Sequence, residues 1–582
     1  MSAAQTPRES ISLAIIGSGG AGALTAGAII LEAAAKLGWY GIMNRSVGPQ
    51  IRGGEAAALV RLANHPVNCM SREYDLLIAI DWKNAERFAS EMPLAWDGLV
   101  LSDPTAGDIP AEIGGSQSNI ANVAMKYLAK EIPGGRENMI AVGVAAAIIG
   151  LSVENIMDIV KAKFSKKGRD AVEIGRRCIV TGMTQVANFA DHLKLQPPKN
   201  KNSGRWLITG NEGVGYGAVR GGIRFAAAYP ITPATEVLEW LAPSLAKVGG
   251  ALVQAEDELS SINMAIGASF GGRASITATS GPGLALMMES MGLATASEVP
   301  IVVVNVMRGG PSTGIPTKSE QSDLNIALYG CHGDAPHIVT APLSVSDCIF
   351  TAQWTVYLAE AMQTAAILLS DQSLGQARVI IDKPANIAFF ANRKVWQANT
   401  EETYNRYALT ADGVSPMAIP GTPGGQYTAD GLTHNVRGAP SSTESDQQNQ
   451  HDKRQRKITR FDYGDHWADI EQTGEANDFT IVVWGSLTGP AREAIASLKQ
   501  EGIAVKLVAM RLLAPFLKQQ FLAALEGCDR ILIVEQTHSG QFHNYLRAQC
   551  DLPGTVRHFH RPGPHLIDAG EICDQIRDWK NS

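Results

Sequence analysis

The sequence lacks three features that mark specialised proteins: cysteines at metal-binding spacing, a long uncharged apolar run, and a large charge of one sign. Its cysteines are scattered, and none forms a Cys-x-x-Cys pair or a comparable ligand spacing. The seven are Cys69, Cys178, Cys331, Cys348, Cys528, Cys550 and Cys573. An odd, isolated set is typical of reduced thiols that fill protein cores. We therefore expect this chain to hold no metal, and any iron–sulfur cluster that works with it would belong to another chain.

The absence of a membrane-spanning run and of strong charge limits the partners of the protein. No stretch is long and uncharged enough to cross a bilayer, and Met1–Ser10 lacks the layout of a secretory signal. The formal net charge of -7 is small for 582 residues, which argues against a nucleic acid partner. Two basic clusters, Lys161–Arg169 and Lys453–Arg460, are predicted to be solvated helices or tethers. We expect a cytoplasmic protein that binds neither membrane nor nucleic acid.

What the sequence has in quantity is glycine in apolar surroundings. It contains 58 Gly and 45% hydrophobic residues but only 6% aromatic ones, a composition typical of α/β layers with many tight strand-to-helix turns. We predict an α/β protein with three α/β domains, at residues 1–196, 205–385 and 477–582. Between the last two, residues 386–476 are rich in Gly, Pro, Ser, Thr, Gln and Asn, which predicts a long irregular strap.

The first domain opens with a strand, Ile11–Ile16, followed by a run of glycines and a helix-like segment. Glycines after a strand let backbone N–H groups approach a phosphate at a helix N-terminus, as in dinucleotide-binding proteins. The acidic residue expected about 20 positions further on to bind a ribose is missing, because that region reads Tyr40–Arg45. The loop therefore serves close helix–strand packing or a different phosphate-bearing ligand. Its candidate binding residues are Gly17, Gly19, Gly20 and Gly22.

A second glycine loop, Ser46–Glu55, places one arginine beside consecutive backbone amides. An arginine flanked by glycines can hold a phosphate through its guanidinium and the N–H groups of the loop. A surface turn with a structural arginine explains the same residues equally well. The candidate binding residues of this loop are Gly48, Arg52, Gly53 and Gly54.

The second domain contains four blocks in which an apolar run ends in Gly, Pro or hydroxyl residues. The blocks are Tyr229–Pro233, Gln254–Glu258, Thr279–Gly283 and Arg308–Pro311. Strands are predicted at 252–254, 275–279, 301–306, 337–340 and 366–369. Their alternation with helical runs indicates a parallel sheet covered on both faces, and such sheets bind ligands at the carboxyl ends of their strands.

Three side chains of these blocks are candidates for chemistry: the hydroxyl of Thr232, the carboxylate of Glu258 and the guanidinium of Arg308. A planar guanidinium at the end of a strand can bind a carboxylate through two N–H groups. The combination suits a small anionic substrate held beside a cofactor that needs one carboxylic acid. A turn threonine, an N-terminal helix charge and a structural ion pair are the alternatives for the three residues.

Read in order, these blocks resemble the 2-oxoacid:ferredoxin oxidoreductases. Four motifs are similar to that family's α subunit: YPITP at 229–233, EDELSSINMAIGAS at 256–269, TATSGPG at 277–283 and RGGPSTGIPTKSEQSDL at 308–324. The two glycine loops are similar to the family's γ domain, and residues 479–582 resemble a transketolase C-terminal domain. The resemblance covers nearly the whole chain. It implies a Rossmann-like γ domain, a pyrimidine-type domain of the thiamine-diphosphate-binding fold, and a transketolase C-terminal-like domain.

The resemblance implies roles for individual residues. Glu258 matches the family's catalytic glutamate, a carboxylic acid that hydrogen-bonds the aminopyrimidine of thiamine diphosphate. Arg308 would bind the 2-oxo carboxylate of the substrate, and Thr232 its carboxylate or ketone oxygen. The last motif is most similar to subunits that act on 2-oxoglutarate, whose distal carboxylate needs a second cation. Lys318 is one candidate, in a polar segment with Gln321 and Asp323. The alternatives are that Lys318 belongs to a solvated loop, or that His332 or a residue of a partner supplies the cation.

The resemblance also implies an assembly. In this family a separate β subunit mainly holds thiamine diphosphate with Mg²⁺ and a [4Fe–4S] cluster, and this chain lacks both a GDG-type magnesium motif and cluster cysteines. The implied reaction is oxidative decarboxylation of 2-oxoglutarate to succinyl-CoA and CO2 with reduction of ferredoxin, or the reverse with a low-potential donor. The two glycine loops are candidates for holding coenzyme A phosphates. We expect a dimer of αβ units, with the strap wrapped around a partner or a second protomer.

Three alternatives remain at this point. One is the same chemistry on pyruvate or another 2-oxoacid. A second is a dinucleotide-dependent dehydrogenase built on the first domain, which the missing ribose-binding acid opposes. A third is a non-catalytic assembly subunit whose partner contains the whole active site.

Overall fold

The computed structural model describes residues 7–48, 55–83, 85–114, 119–186, 193–199, 204–398, 403–474 and 477–582. The chain forms two compact units. Unit 1 contains Met1–Thr209, Gln376–Pro384 and Asp568–Gly570, and unit 2 contains Gly210–Gly375, Ala385–Ile567 and Glu571–Ser582. Among the helices of the described ranges, none combines the length and the apolar character needed to cross a membrane.

The helices and strands follow in chain order. Up to Thr209 they are β1 (Ser10–Ser18), α1 (Ala23–Leu37), β2 (Tyr40–Val47), β3 (Glu55–Ala63), β4 (Tyr74–Ala79), β5 (Leu94–Ser102), α2 (Ala111–Gly114), β6 (Asn119–Asn122), α3 (Met125–Lys130), α4 (Glu137–Ile149), α5 (Val153–Phe164), α6 (Arg169–Thr184) and β7 (Trp206–Thr209). From Gly210 they are α7 (Gly210–Gly221), β8 (Phe225–Ala228), α8 (Thr235–Leu245), β9 (Ala251–Gln254), α9 (Glu258–Phe270), β10 (Ser275–Thr279), α10 (Gly281–Ala296), β11 (Ile301–Met307), α11 (Leu324–Tyr329), β12 (Ile338–Thr340), α12 (Asp347–Met362), β13 (Ala365–Asp371), α13 (Gln372–Gln376) and β14 (Arg378–Ile381). The last elements are α14 (Glu444–Thr459), β15 (Ala468–Gln472), β16 (Phe479–Trp484), α15 (Thr488–Gln500), β17 (Val505–Met510), β18 (Leu512–Ala514), α16 (Lys518–Ala524), β19 (Arg530–Glu535), α17 (Gln541–Gln549), β20 (Thr555–His560) and α18 (Ala569–Asn581).

Unit 1 is built on an eight-stranded mixed sheet in the order β6-β5-β4-β1-β3-β2-β14-β7. The predicted α/β class is confirmed, but the sheet departs from a regular Rossmann order. Strand β3 lies between β1 and β2 and is antiparallel to both. The end of β2 is therefore two strands away from the loop after β1, about 10 Å. An acid at that position could not bind a ribose held at β1, which explains why the sequence carries none there.

Unit 2 contains two further sheets. The first has the order β18-β12-β13-β11-β10-β8-β9, and its pairs from β12 to β9 are parallel, as predicted. The second has the order β15-β17-β16-β19-β20. Strand β18, from the predicted third domain, pairs with β12. Strand β14 returns to unit 1 from within the predicted second domain, so the chain crosses between units in places that composition does not mark.

The strap predicted at 386–476 is only partly irregular. The described residues from Ala385 to Thr443 form no helix or strand, in agreement with the prediction. Helix α14 then covers Glu444–Thr459, although the sequence there is among the most polar of the chain. Its cap explains the start, because the Thr443 hydroxyl accepts a hydrogen bond from the Asp446 N–H. The predicted irregularity of the strap is therefore wrong for Glu444–Thr459.

Helix α14 is held by a buried charge cluster, which we call the Glu298 cluster. The Glu298 carboxylate accepts hydrogen bonds from Lys453 Nζ at 2.5 Å and Lys457 Nζ at 3.1 Å, and Arg406 donates to the Glu298 carbonyl at 2.7 Å. All four side chains are buried. Burial alone would raise the pKa of Glu298, but the charges of Lys453 and Lys457 hold that pKa below its usual range. The predicted solvation of Lys453–Arg460 is thus wrong for its two lysines, whereas Lys161–Arg169 is exposed as expected.

Candidate active site

The carboxyl ends of parallel strands meet at one edge of the larger sheet of unit 2. Strand β8 leads to Thr232, β9 to Glu258, β10 to the N-terminus of α10, and β11 to Arg308. These four strands are neighbours in the order β11-β10-β8-β9. The structure therefore brings Thr232, Glu258 and Arg308 to the same edge, where open α/β sheets bind ligands.

Arg308 and Thr232 are in direct contact. Arg308 Nη1 donates a hydrogen bond of 2.6 Å to the backbone carbonyl of Thr232, while the Thr232 side chain is exposed. Burial lowers the pKa of Arg308, and the nearby charge of Asp323 acts in the opposite direction. Within the described ranges, the buried Nε of Arg308 has no hydrogen-bond partner. A fixed guanidinium with an unused N–H group suits an anionic ligand.

Glu258 is the first residue of α9 and is buried. The preceding Asp257 caps the helix by accepting a hydrogen bond of 2.6 Å from the Ser260 N–H. No hydrogen bond or ion pair joins the Glu258 carboxylate to any residue that the structure describes. A carboxylate at a ligand-binding edge that pairs with no described residue is available to a ligand.

Two glycines at the start of α10 allow two carboxylates to approach that helix. A Cβ atom on Gly283 would lie 2.1 Å from Thr279 Oγ1 and 2.8 Å from Glu258 Oε1. A Cβ atom on Gly281 would lie 2.8 Å from each carboxylate oxygen of Asp323. Any larger residue at either position would displace a carboxylate. The Ser-Gly-Pro-Gly block is therefore explained by the close approach of Glu258 and Asp323.

Asp323 is the site residue to which sequence reasoning gave no role. Its carboxylate accepts a hydrogen bond of 2.8 Å from Asn305 Nδ2. Burial raises the pKa of Asp323 to about 6, against the lowering effect of Asn305. Around it, Asn305 Oδ1, Ser280 Oγ and Ser322 Oγ are buried without a hydrogen-bond partner among the described residues. In the sequence, Asp323 is a single acid in a polar segment. Nothing in the sequence links it to the glycines of the Thr279–Gly283 block.

Lys318 lies at the end of the loop that begins at Arg308. The Gly309 N–H donates to the Lys318 carbonyl at 3.0 Å, and the Ile315 N–H donates to the Gly309 carbonyl at 2.8 Å. The loop thus folds back on itself, and the hydrogen bond between Gly309 and Lys318 brings the backbone of Lys318 close to that of Arg308. The role of its ammonium group stays a prediction. His332, the alternative named from the sequence, is exposed in the turn after α11.

The residues at this edge fit one end of thiamine diphosphate. An unpaired buried acid, Glu258, suits the aminopyrimidine ring. In the ranges that the structure describes, no group of three or more His, Cys, Asp or Glu side chains could hold a metal ion.

The glycine loop after β1 in unit 1 is shaped largely by packing. The Ser18 N–H and hydroxyl both donate to the Asp81 carboxylate, at 2.9 Å and 2.8 Å. Gly22 adopts φ 87°, and a Cβ atom there would lie 2.4 Å from Asn138 Nδ2. A Cβ atom on Gly17 would likewise lie 3.0 Å from the Ala21 Cβ. Close packing explains the glycines at 17 and 22, and the Ser18 N–H is already bonded to Asp81. Gly19 and Gly20 are exposed, so they remain the candidates for binding a ligand.

The second glycine loop begins at the same sheet edge. Strands β1 and β2 run in the same direction, since each is antiparallel to β3, so their carboxyl ends lie on one side. Gly48 is buried there, directly after β2. The other predicted residues of this loop, Arg52, Gly53 and Gly54, lie outside the described residues. A ligand role for either loop stays a prediction.

Three protein-family models match the chain. Residues 12–185 match "Pyruvate ferredoxin/flavodoxin oxidoreductase", residues 216–453 match "Pyruvate flavodoxin/ferredoxin oxidoreductase, thiamine diP-bdg", and residues 468–545 match "Transketolase, C-terminal domain". The three matches follow the order of domains that the sequence motifs predicted.

Curated relatives and a solved structure agree with these matches. The chain is 28% identical to the 2-oxoacid:ferredoxin oxidoreductase subunit alpha of Saccharolobus solfataricus over 94% of both proteins. It is 33% identical to the 2-oxoglutarate synthase subunit KorA of Methanothermobacter thermautotrophicus, over 61% of this chain and 96% of that protein. The structure of 2-oxoglutarate:ferredoxin oxidoreductase from Magnetococcus marinus, with 2-oxoglutarate, coenzyme A and succinyl-CoA bound, is 34% identical, has a TM-score of 0.91, and is matched over 98% of this chain and 99% of that one. The chain is therefore an α subunit that belongs to the 2-oxoacid:ferredoxin oxidoreductase family.

Proposed function

We propose that this chain is the α subunit, with a fused γ domain, of a coenzyme A-acylating 2-oxoglutarate:ferredoxin oxidoreductase. The complex would convert 2-oxoglutarate, coenzyme A and two oxidised ferredoxins into succinyl-CoA, CO2, a proton and two reduced ferredoxins, and could run in reverse with a strong reductant. The observation that carries the proposal is an unpaired buried acid, Glu258, at the same sheet edge as Arg308. The likeness to the enzyme from Magnetococcus marinus supports 2-oxoglutarate as the substrate.

The side chains at the edge divide the work of binding and orientation. Thiamine diphosphate, when bound, supplies the carbon nucleophile that attacks the 2-oxo group. Glu258 would hydrogen-bond the aminopyrimidine and move a proton at that ring. Arg308 would bind the 1-carboxylate of the substrate, held in place by its bond to Thr232. The exposed hydroxyl of Thr232 would donate to the carboxylate or ketone oxygen.

The distal carboxylate of 2-oxoglutarate needs a second cation in this arrangement. We assign this role to Lys318, because its loop starts at Arg308 and closes through the Gly309–Lys318 hydrogen bond. Two cations on one loop would bind the two ends of a dicarboxylate. Lys318→Ala should raise KM for 2-oxoglutarate about tenfold and leave KM for pyruvate unchanged. Equal effects on both substrates would exclude this role.

A partner subunit would complete the site. Leu259 and Met264 on α9 and Leu286 on α10 are between 44% and 51% exposed, which is unusual for large apolar side chains beside a binding edge. Gly267 on α9 has no atom within 4 Å of a Cβ position. This face suits a β subunit that carries the magnesium–diphosphate site and a [4Fe–4S] cluster and passes electrons to ferredoxin. Two such αβ units would form the complex.

Coenzyme A would bind at the sheet edge of unit 1 where both glycine loops begin. The exposed Gly19 and Gly20 offer backbone amides, and Gly48, Arg52, Gly53 and Gly54 would supply the second half of a phosphate site. The Asp81 carboxylate opposes an anion close to Ser18. The proposed coenzyme A site therefore depends mainly on the positive charge of Arg52. Arg52→Ala should raise KM for coenzyme A, and an unchanged value would rule the site out.

The decisive experiment is to co-purify the chain with its partner from the native host and measure ferredoxin reduction. The complex should contain thiamine diphosphate, Mg²⁺ and iron, and should use 2-oxoglutarate in preference to pyruvate. Faster turnover of pyruvate would favour the other substrate of the same chemistry. Seven cysteines outside any disulfide are compatible with a cytoplasmic location for such a reductive reaction.

A further inference from the structure

The segment that carries Asp323 is tied to the part of the chain beyond residue 480. The Gln321 N–H donates to the Gln536 carbonyl at 3.0 Å, and the Gln536 N–H donates to Gln321 Oε1 at 3.0 Å. Gln321 Nε2 donates to the Trp484 carbonyl at 2.8 Å. The Gln321 side chain is fully buried. It therefore serves as a polar anchor between the two sheets of unit 2.

A second glutamine ties the same segment on the other side of Asp323. Gln541 Nε2 donates to the Ser322 carbonyl at 2.8 Å, and the Asn325 N–H donates to Gln541 Oε1 at 2.9 Å. The nitrogen and the oxygen of the Gln541 side-chain amide thus both form hydrogen bonds. Their partners lie one residue before and two residues after Asp323. We call Gln321 and Gln541 together the glutamine clamp.

The clamp rests on a fixed support. Gln541 is the first residue of α17, and the buried Glu535 carboxylate accepts hydrogen bonds from the next two N–H groups, of Phe542 at 2.8 Å and His543 at 2.9 Å. His558 Nε2 lies 2.8 Å from the same carboxylate. A carboxylate at a helix N-terminus stabilises that end of the helix. Gln541 is therefore held in place independently of the segment that it contacts.

We propose that the glutamine clamp positions Asp323 against Asn305 and beside Arg308, so that the transketolase C-terminal-like region tunes the affinity for the 2-oxoacid. The inference rests on the proposed function for the identity of the ligand. Gln321 and Gln541 are positioning residues, because they reach the site only through the segment 321–325. The C-terminal-like region thereby acquires a role in substrate binding besides any role in assembly.

The geometry separates substrate binding from the proton-moving acid. Asp323 approaches Gly281 at the N-terminus of α10 and accepts from Asn305, so a shift of its segment disturbs the pocket around Arg308. Glu258 is the first residue of α9. The N-terminus of that helix is capped by Asp257 and not by a residue of the segment 321–325. Loosening the clamp should therefore change KM for the 2-oxoacid much more than kcat.

The test uses Gln541→Ala in the full chain, co-purified with its partner. Loss of two neutral hydrogen bonds should raise KM for 2-oxoglutarate about tenfold, with kcat within about twofold of wild type. Gln549→Ala, at the other end of α17, is the matched control and should leave both constants unchanged. Gln541→Glu keeps the acceptor for Asn325 and should raise KM about threefold. This milder variant decides the matter if Gln541→Ala fails to fold.

Hydrogen–deuterium exchange gives a readout that does not depend on turnover. Backbone amides of 321–325 should exchange about tenfold faster in Gln541→Ala than in wild type or Gln549→Ala. An unchanged KM with unchanged exchange overturns the clamp, as does a fall in kcat at constant KM. If the wild-type complex turns over no 2-oxoacid, the proposed function fails, while exchange alone still supports or overturns the clamp.

Discussion

Two of the buried glutamates of unit 2, Glu298 and Glu258, are in opposite situations. Glu298 is enclosed by Lys453 and Lys457, which compensate its charge through two hydrogen bonds. Glu258 has no such partner among the described residues and lies at the edge where strands β8 to β11 end. Removing a carboxylate from water is costly unless nearby groups replace the lost hydration. For Glu298 the protein supplies those groups, whereas no described residue supplies them for Glu258, whose carboxylate is left to water or a ligand.

The comparison shows how charge compensation separates structural from functional acids. The lysines at Glu298 come from α14, within the predicted strap, so that cluster fastens a polar segment to the core. At Glu258 the neighbouring glycine, Gly283, makes room for the carboxylate and provides no charge. Substitutions in the first region should therefore alter stability, and those in the second should alter activity.

The largest effect on stability should follow from Lys453→Met. The change leaves the buried Glu298 carboxylate with one of its two lysines, and breaking a buried ion pair costs about 3–5 kcal/mol of unfolding free energy. Thermal unfolding of the purified complex measures it. Lys247→Met, at an exposed position, is the control. A melting temperature equal to that of the control variant would show that the Glu298 cluster contributes no stability.

Arg308→Lys should have a large effect on binding and almost none on stability. Lysine keeps the charge but loses the planar pair of N–H groups and the bond to Thr232. KM for 2-oxoglutarate should rise about thirtyfold. Steady-state kinetics of ferredoxin reduction measures this, with the exposed Arg273→Lys as control. Equal KM values for the two variants would remove Arg308 from the substrate site.

Gly283→Ala tests whether the space beside Glu258 matters. The added Cβ would lie 2.1 Å from Thr279 Oγ1 and 2.6 Å from Glu258 Cγ, so the carboxylate must move. We expect kcat to fall about tenfold. Gly292→Ala, in the same helix with nothing within 4 Å, should stabilise the helix by about 1 kcal/mol and leave kcat intact. Identical kinetics for both alanine variants would contradict the assigned contact.

The smallest effect concerns Asp323 and depends on pH. Burial raises its pKa from 3.8 to about 6, so the folded protein favours the protonated form and loses stability as the pH rises through this range. Asp323→Asn should therefore be more stable than wild type at pH 7 and equally stable below about pH 4. Thermal melts across pH 4–8 measure the difference. If Asp323→Asn lost more stability than wild type as the pH rises, the raised pKa assigned to Asp323 would be wrong.

Much of the second domain could be predicted because its signals are local. The strand at Ser275–Thr279 and the Asp257 cap follow from apolar runs and turn residues that a reader sees directly in the sequence. Thr232, Glu258 and Arg308 could be placed at one edge because parallel strands share their carboxyl ends. None of these inferences requires knowledge of residues far away in the chain.

The errors concern residues whose environment is set by distant partners. Helix α14 is polar in sequence and is buried only because Glu298, more than 140 positions earlier, accepts its lysines. Asp323 gains its raised pKa from the folded surroundings, and Gln541 bonds Ser322 although 219 positions separate them in the sequence. The composition of a segment does not show which distant residues it will contact. The polar sequence of α14 therefore predicts a solvated segment, and the sequence around Asp323 indicates no role for that residue.

The most direct test of the central claim is the turnover of Glu258→Gln in the co-purified complex. Glutamine has the same shape but cannot exchange a proton at the aminopyrimidine, so kcat should fall by about two orders of magnitude or more. The melting temperature and thiamine content should match wild type, because the Glu258 carboxylate pairs with no described residue. A kcat within about twofold of wild type would contradict a catalytic role for Glu258 and place the chemistry entirely in the partner.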